Sequence, residues 1–237
     1  MNDSHHNRFI IDSIDSAPPQ EFSISGEEFQ HLRVKRLKKG DIVIGLDGEG
    51  SELTGELTEI AKRKAVFRII QAEKHFEPEI KISFGLSILK PGPMSFAVEK
   101  AVELGVWDII PLEAARCRRK ITSAEIQRLQ RIAASAMKQS GGFFLPQVHH
   151  YEEFCEILMK RYESHQIIYA DPAGESILRI AIQFNRVLLL IGPEGGFTKE
   201  EIKLIQDYKG TPGSLGKSRL RSETAAIAAL AALQLKI

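Results

Sequence analysis

The chain has 237 residues, 43% of them hydrophobic and 27% charged, with a net charge of +1. These values fit a globular protein with a sizeable core, and they leave any affinity for nucleic acid to local patches rather than an overall field. Cys117 and Cys155 lack C-x-x-C or histidine-paired spacing, which argues against a zinc site or disulfide framework and fits a reducing compartment.

MNDSHHNRFI has no leader-like apolar stretch, and the longest apolar run, residues 225–233, is too short and alanine-rich to span a bilayer, so a cytoplasmic location is expected. RFII (8–11), DIVIGL (41–46), ELTGELTEI (52–60) and AVFRII (65–70) read as short strands, with LDGEG and AKRK closing hairpins. Together they predict a small β-barrel over residues 1–74. Between its strands, EEFQHLRVKRLKKGD predicts a helical turn that runs into Lys39-Gly40-Asp41.

From residue 75 to 237 the pattern changes to strands alternating with helices, an α/β domain with a mostly parallel sheet. IKISFGLSIL is a strand, and Pro91-Gly92-Pro93 starts a helix that stops at Gly105. VWDIIPL is the next strand, and Thr122 with Glu125 forms a capping box for the helix that follows. HQIIYA and RVLLLI are buried-strand patterns, each predicted to lead through a loop into a helix. Ligands of such sheets bind at the carboxyl ends of the strands.

Two glycine loops fall late in this domain. In LLLIGPEGGFTKEEI, Gly192, Gly195 and Gly196 follow a buried strand, and Thr198 with Glu201 caps the next helix. The loop is either a tight connection or a place where backbone approaches a ligand closely. TPGSLGKS (211–218) is one residue from a phosphate-binding P-loop, but Thr211 stands at the first glycine position and only 19 residues follow Ser218. A triphosphate site is therefore rejected. The last helix, mostly alanine with Ile227, Leu230, Leu233 and Leu235, has no polar face; core burial or a dimer interface would each explain it.

IGPEGGFTKEEI followed by SLGKSRLRSETAAIAAL closely resembles the paired signature of the RsmE-type ribosomal RNA uridine-N3 methyltransferases, in the SPOUT superfamily. HLRVKRLKKGD, EKAVELGVWDIIPL and KQSGG extend the likeness over nearly the whole chain. The resemblance implies an N-terminal PUA-like barrel that binds RNA, and a C-terminal α/β domain threaded into a trefoil knot. It also implies S-adenosylmethionine as cofactor, 16S ribosomal RNA of the small subunit as substrate and a homodimer, while the cysteine spacing and the short apolar run leave neither metal nor membrane expected. By the same resemblance the cofactor would be held by Ile191, Gly192, Pro193, Glu194, Gly195 and Gly196, facing Ser214, Leu215, Gly216, Leu220, Arg221 and Ala225. The chain departs from the family at Lys217-Ser218-Arg219, where a proline and a branched residue are usual, and at Ser222, where threonine is usual. KQSGG also lacks the family's terminal arginine, so that residue's RNA contact is not carried over.

For the chemistry, uracil N3 must lose a weakly acidic proton, and charge then spreads to the flanking carbonyl oxygens. Arg221 is the candidate to stabilise that charge; it would serve equally as a phosphate clamp or a partner of Glu223. Glu223 and Glu194 are candidate bases, although a helix start lowers the basicity of Glu223, and base-free proton loss to water remains open. Asp171 in YADPAGES is either a cofactor-pocket residue or a turn residue. Two cationic runs are candidate RNA contacts, Arg33, Lys35, Arg36, Lys38 and Lys39 in the small domain, and Arg116, Arg118, Arg119 and Lys120 after VWDIIPL. His149 and His150 have no metal-like companion and read as a surface feature. Two rivals stand beside this reading: a knotted methyltransferase with another RNA or atom as target, and a non-catalytic RNA-binding ribosome factor.

Overall fold

Apolar and polar residues alternate along the first third of the chain, and the backbone takes the extended form that a two-residue period demands. In the computed structural model, which describes residues 7–11 and 20–237, this gives β1 (Arg8–Ile10), β2 (Glu21–Ser25), β3 (Ile42–Leu46), β4 (Ser51–Ile60) and β5 (Lys64–Lys74). Residues 1–6, part of the stretch read for a leader, lie outside the described residues. The sheet order is β1-β3-β4-β5-β2, parallel only between β1 and β3. One helix, α1 (Gly26–Val34), buries Phe29 and Leu32. Leu53, Gly55 and Leu57 of β4 point inward, and Phe22 stacks on Phe67 with ring centres 5.0 Å apart. A Cβ at Gly55 would lie 2.5 Å from the Phe22 ring, so that aromatic pair requires glycine there.

Sequence reading missed β2, although EFSIS alternates, and it ended β5 four residues early. The end of β5, Gln71–Lys74, pairs with Ser51–Thr54 but is itself exposed and carries no apolar alternation for periodicity to report. The compact small unit comprises Met1–Glu77 and also Met137–Leu145. That second segment adds backbone hydrogen bonds to the LDGEG turn: Gly50 N–H donates to Phe143 O (3.1 Å) and Leu145 N–H to Gly48 O (2.8 Å). Phe143 stacks on His75 at 3.4 Å, and Lys138 pairs with Glu28.

The larger unit, Pro78–Ala136 with Pro146–Ile237, runs β6 (Lys81–Ser87), α2 (Pro91–Glu103), β7 (Asp108–Glu113), α3 (Ser123–Ser140), β8 (Gln147–Val148), β9 (Glu152–Glu153), α4 (Glu156–Arg161), β10 (Gln166–Ser176), β11 (Arg186–Ile191), α5 (Lys199–Asp207), β12 (Thr211–Ser214) and α6 (Ser222–Gln234). The last turn of α3 belongs to the small unit. Strands are ordered β12-β10-β11-β6-β7-β8, with β9 also on β7, and every pairing is parallel. Its core holds Phe84, Leu86, Ile110, Leu112, Tyr169 and Leu188 to Ile191, each at most 1% exposed. These are the near-continuous apolar runs expected of parallel strands covered on both faces.

Both predicted capping boxes form. Glu125 N–H donates to Thr122 Oγ1 (3.3 Å) and Thr122 N–H to Glu125 Oε2 (3.0 Å); in α5, Glu201 N–H donates to Thr198 Oγ1 (3.2 Å) and Thr198 N–H to Glu201 Oε2 (2.7 Å). β10 differs from expectation, because the chain stays extended through DPAGES. Its register slips between Ala170 and Glu175, so that both face Gly213, and only a single 3-10 turn (Ile177–Arg179) follows. The TPGS stretch, expected as loop, is the edge strand β12; Pro212 is tolerated at an edge. Helix α6 packs on α2 and buries Ala226, Ala229, Leu230 and Leu233.

Candidate functional site

Five loops leave the carboxyl ends of β6, β7, β10, β11 and β12, and a cavity of about 370 Å³ opens among the last three. This volume falls within the usual range for a small-molecule site. Of the residues expected to hold a cofactor, Ile191 to Gly196, Leu215, Gly216, Leu220 and Ala225 line it. Ser214 and Arg221 do not. The Ser214 Oγ accepts from Gly216 N–H (3.4 Å) and shapes the loop from behind, while Arg221 is the exposed N-cap of α6, its carbonyl accepting from Ala225 N–H (2.8 Å). Glu223 sits half-buried in the first turn of α6.

The lining also includes Ala170, Asp171, Pro172, Gly213, Lys217, Ser218, Arg219 and Ser222, which sequence reading left out or, for Asp171, left undecided. The first three come from the β10 bulge. There the Asp171 carboxylate accepts from Ala173 N–H at 2.8 Å, so the residue is at once a turn residue and a cavity residue. The signal was the Asp-Pro-Ala-Gly turn itself, read as the end of a strand.

Side chains from elsewhere fix the first glycine loop. Arg116 donates to Gly195 O (2.7 Å) and Phe197 O (3.2 Å), and Arg219 donates to Glu194 O (3.1 Å). Glu201, 8% exposed, accepts from Ala115 N–H (2.7 Å) as well as from its cap partner, which joins the loop after β7 to the start of α5. Gly196 N–H closes a turn on Pro193 O (2.8 Å) with φ +70°, and Gly216 has φ +117°. A Cβ at either would meet no atom within 4 Å, so the backbone faces open space at both. The cavity therefore combines backbone N–H and C=O groups, an apolar wall of Ile191, Pro193, Leu215, Leu220 and Ala225, and charges of both signs: Asp171 and Glu194 against Lys217 and Arg219. Such a lining suits a zwitterionic ligand with a large uncharged portion.

Profiles of known families give two matches, an RNA methyltransferase domain over residues 76–234 and an RNA methyltransferase PUA domain over residues 24–70. The chain belongs to the RNA methyltransferase family. The curled five-stranded sheet is its PUA-like element, and the parallel sheet is its methyltransferase domain. Among relatives, Ribosomal RNA small subunit methyltransferase E of Bacillus subtilis is 30% identical, covering 93% of this chain and 91% of that one. A Legionella pneumophila methyltransferase solved with the bound cofactor SAM superimposes with a TM-score of 0.88, at 30% identity and 96% coverage of each chain. Ribosomal RNA small subunit methyltransferase E from Neisseria gonorrhoeae, solved bound to S-adenosyl methionine, gives 0.88 at 29% identity, with 97% of each chain covered.

In this family member the candidate RNA contacts divide by setting. Arg33, Arg36, Lys38 and Lys39 are exposed, whereas Lys35 is half-buried over the Phe9 ring at 5.5 Å, where burial first, and Lys138 second, lower its pKa. In the larger unit, Arg119 donates to Leu89 O (3.1 Å) and to the Glu125 carboxylate. That bond and the Thr122 N–H hold Glu125 below the usual carboxylate range. Lys120 is tied to Glu113 at 3.0 Å. Burial pushes the nearby Cys117 thiol up, away from thiolate chemistry. His149 pairs with Asp108 at 3.1 Å, which makes it a bonded, half-buried residue rather than a bare surface one.

Proposed function

We propose that this protein transfers a methyl group from S-adenosylmethionine to uracil N3 in 16S ribosomal RNA of the small subunit. The observation that carries the reading is the 370 Å³ cavity between the two glycine loops at the carboxyl end of a parallel sheet, with both charge signs in its wall. Its residues fit the cofactor. The apolar wall takes the adenosine, backbone groups of Gly192–Gly196 and Leu215–Gly216 satisfy its polar edges, and Lys217 or Arg219 can meet the carboxylate while Asp171 or Glu194 meets positive charge. Adenosylmethionine supplies a methyl already activated on a sulfonium, so the protein's task is to bind, orient and stabilise charge.

In this reading N3 gives up its proton and forms the new N–C bond. Arg221 and Glu223, at the start of α6, keep their proposed roles in charge stabilisation and proton removal. Neither belongs to the cavity wall, so both would act from the RNA side. Residues 1–74 would serve as the RNA-binding domain through Arg33, Arg36 and Lys38, with Arg118 as the second contact. Arg116 and Arg119, expected beside it, are held by protein carbonyls and by Glu125 and would act only as its neighbours. The chain end would carry the trefoil knot of the wider superfamily. The protein would work in the cytoplasm as a homodimer, paired through the side of α6 on which Ile227 and Ala231 are half-exposed and Leu235 is 86% exposed.

Calorimetry with adenosylmethionine and with ATP tests the site: the first should bind and the second should not. Mass spectrometry of ribosomal RNA from a strain lacking the protein tests atom and substrate through the loss of N3-methyluridine. Unchanged RNA would remove the uridine assignment, and binding without transfer would favour the non-catalytic rival.

A further inference from the structure

Beside the main cavity lies a second hollow of about 180 Å³ that shares Pro193 and Glu194 with it. Ile88 and Leu89, 3% and 5% exposed, contribute apolar surface, and Lys90, Arg116, Arg118 and Arg119 surround them. These four cations are not equivalent. Arg116 and Arg119 are committed to the carbonyls and the carboxylate described above, so the fold fixes them. Lys90 and Arg118 are exposed. Among the described residues, Arg118 is paired only with Glu194, at 4.0 Å, and the Lys90 ammonium has no partner. Lys90 is also the N-cap of α2, a 13-residue helix with no side-chain cap and no acidic residue in its first turn, so the positive helix end adds to its charge.

We propose that this hollow receives the acceptor nucleotide. The pyrimidine lies against Ile88, Leu89 and Pro193, and Lys90 and Arg118 hold its phosphodiester. The shared Pro193–Glu194 wall sets the edge of the base beside the methyl donor. This rests on reading the larger cavity as the adenosylmethionine site, and it adds the nucleotide subsite with two phosphate contacts. A base turned out of its stack needs apolar surface to replace the stacking it loses. Its phosphate needs cations that are not already neutralised. Both features meet in this hollow, along the Pro193–Glu194 wall of the main cavity. The same cations favour the anionic form of the base, which lowers the cost of removing its proton. Glu194 competes with phosphate for Arg118, so binding exchanges one ion pair for another.

The test uses the full-length protein, small ribosomal subunits from a strain lacking it, and uridine 5′-monophosphate as a probe. Lys90→Ala and Arg118→Ala should leave calorimetric adenosylmethionine affinity within about twofold and raise KM for subunits about tenfold, with a smaller effect on kcat. Each should also flatten the salt dependence of subunit binding by roughly 0.7 to 0.9 in log–log slope. Lys90→Arg should restore both. Uridine 5′-monophosphate should compete with subunits, less well against either alanine variant, and orthophosphate at equal concentration should not. Unchanged KM and salt slope in both variants would overturn the proposal. So would a loss confined to kcat, or orthophosphate competing as well as the nucleotide. If the unaltered protein binds no adenosylmethionine, the methyl-donor reading falls by itself, while nucleotide competition and salt slope still judge the hollow.

Discussion

Replacing Glu201 by alanine removes both acceptors that join the loop after β7 to the first turn of α5. One oxygen accepts from Ala115 N–H and the other from Thr198 N–H, each at 2.7 Å, on a side chain of a residue only 8% exposed. A hydrogen bond to a charged group contributes about 1.5–3 kcal/mol, so the pair stabilises by about 3–6 kcal/mol. Water can reach the Thr198 N–H once the carboxylate is gone, which favours the lower end, about 3 kcal/mol. For a chain of this length that corresponds to a fall in Tm of about 6–12 °C. Glu201→Gln keeps one acceptor and should lose about half as much. Because Glu201 caps the helix that follows Gly192–Gly196, adenosylmethionine affinity should also fall, by about tenfold in the alanine variant. Scanning calorimetry and ligand titration read both effects. A drop in Tm of less than about 2 °C would show that this carboxylate does not brace the loop.

Gly216→Ala puts a Cβ into open space at φ +117°, so it strains backbone rather than packing; adenosylmethionine binding should weaken by about tenfold or more while the folded CD spectrum stays. Lys138→Ala leaves the Glu28 carboxylate, with 23% of its side chain exposed, without its partner; the fold should lose about 3 kcal/mol in urea unfolding, and Glu28→Gln on that background should recover part of it. Burial first, then Lys138 and Lys35, lower the pKa of His31, so its contribution to stability is complete above pH 6.5 and lost as pH falls through the lowered value. His31→Asn should accordingly flatten the decline of Tm between about pH 7 and 5. Ile227→Arg on the half-exposed side of α6 should convert a dimer to a monomer by light scattering, and a species already monomeric before substitution would remove the dimer from the account.

Local chemistry carried most of the fold into the sequence. The two capping boxes were legible because Thr122, Glu125, Thr198 and Glu201 act within one helical turn. β12 was not, since Pro212 and Gly213 are poor strand residues, and only the edge position and the close approach of Gly213 to Ile177 explain them. The glycines of the cavity wall could be read from their spacing. The second hollow could not, because Lys90, Arg118 and Pro193 come from three separate loops and meet only after the sheet has formed. Nor did any local signal attach Met137–Leu145 to the small unit.

That attachment bears on synthesis. The small unit takes one of its pieces, Met137–Leu145, from beyond β6 and β7, the first two strands of the parallel sheet, and before the rest of that sheet has been made. A chain emerging from the ribosome therefore cannot finish its amino-terminal body until residue 145 is free, and neither body can be isolated by a single cut. Expressed alone, residues 1–77 should leave the Gly48–Gly50 turn with unmet backbone groups and the His75 ring without Phe143, so any working fragment has to carry α3 as well.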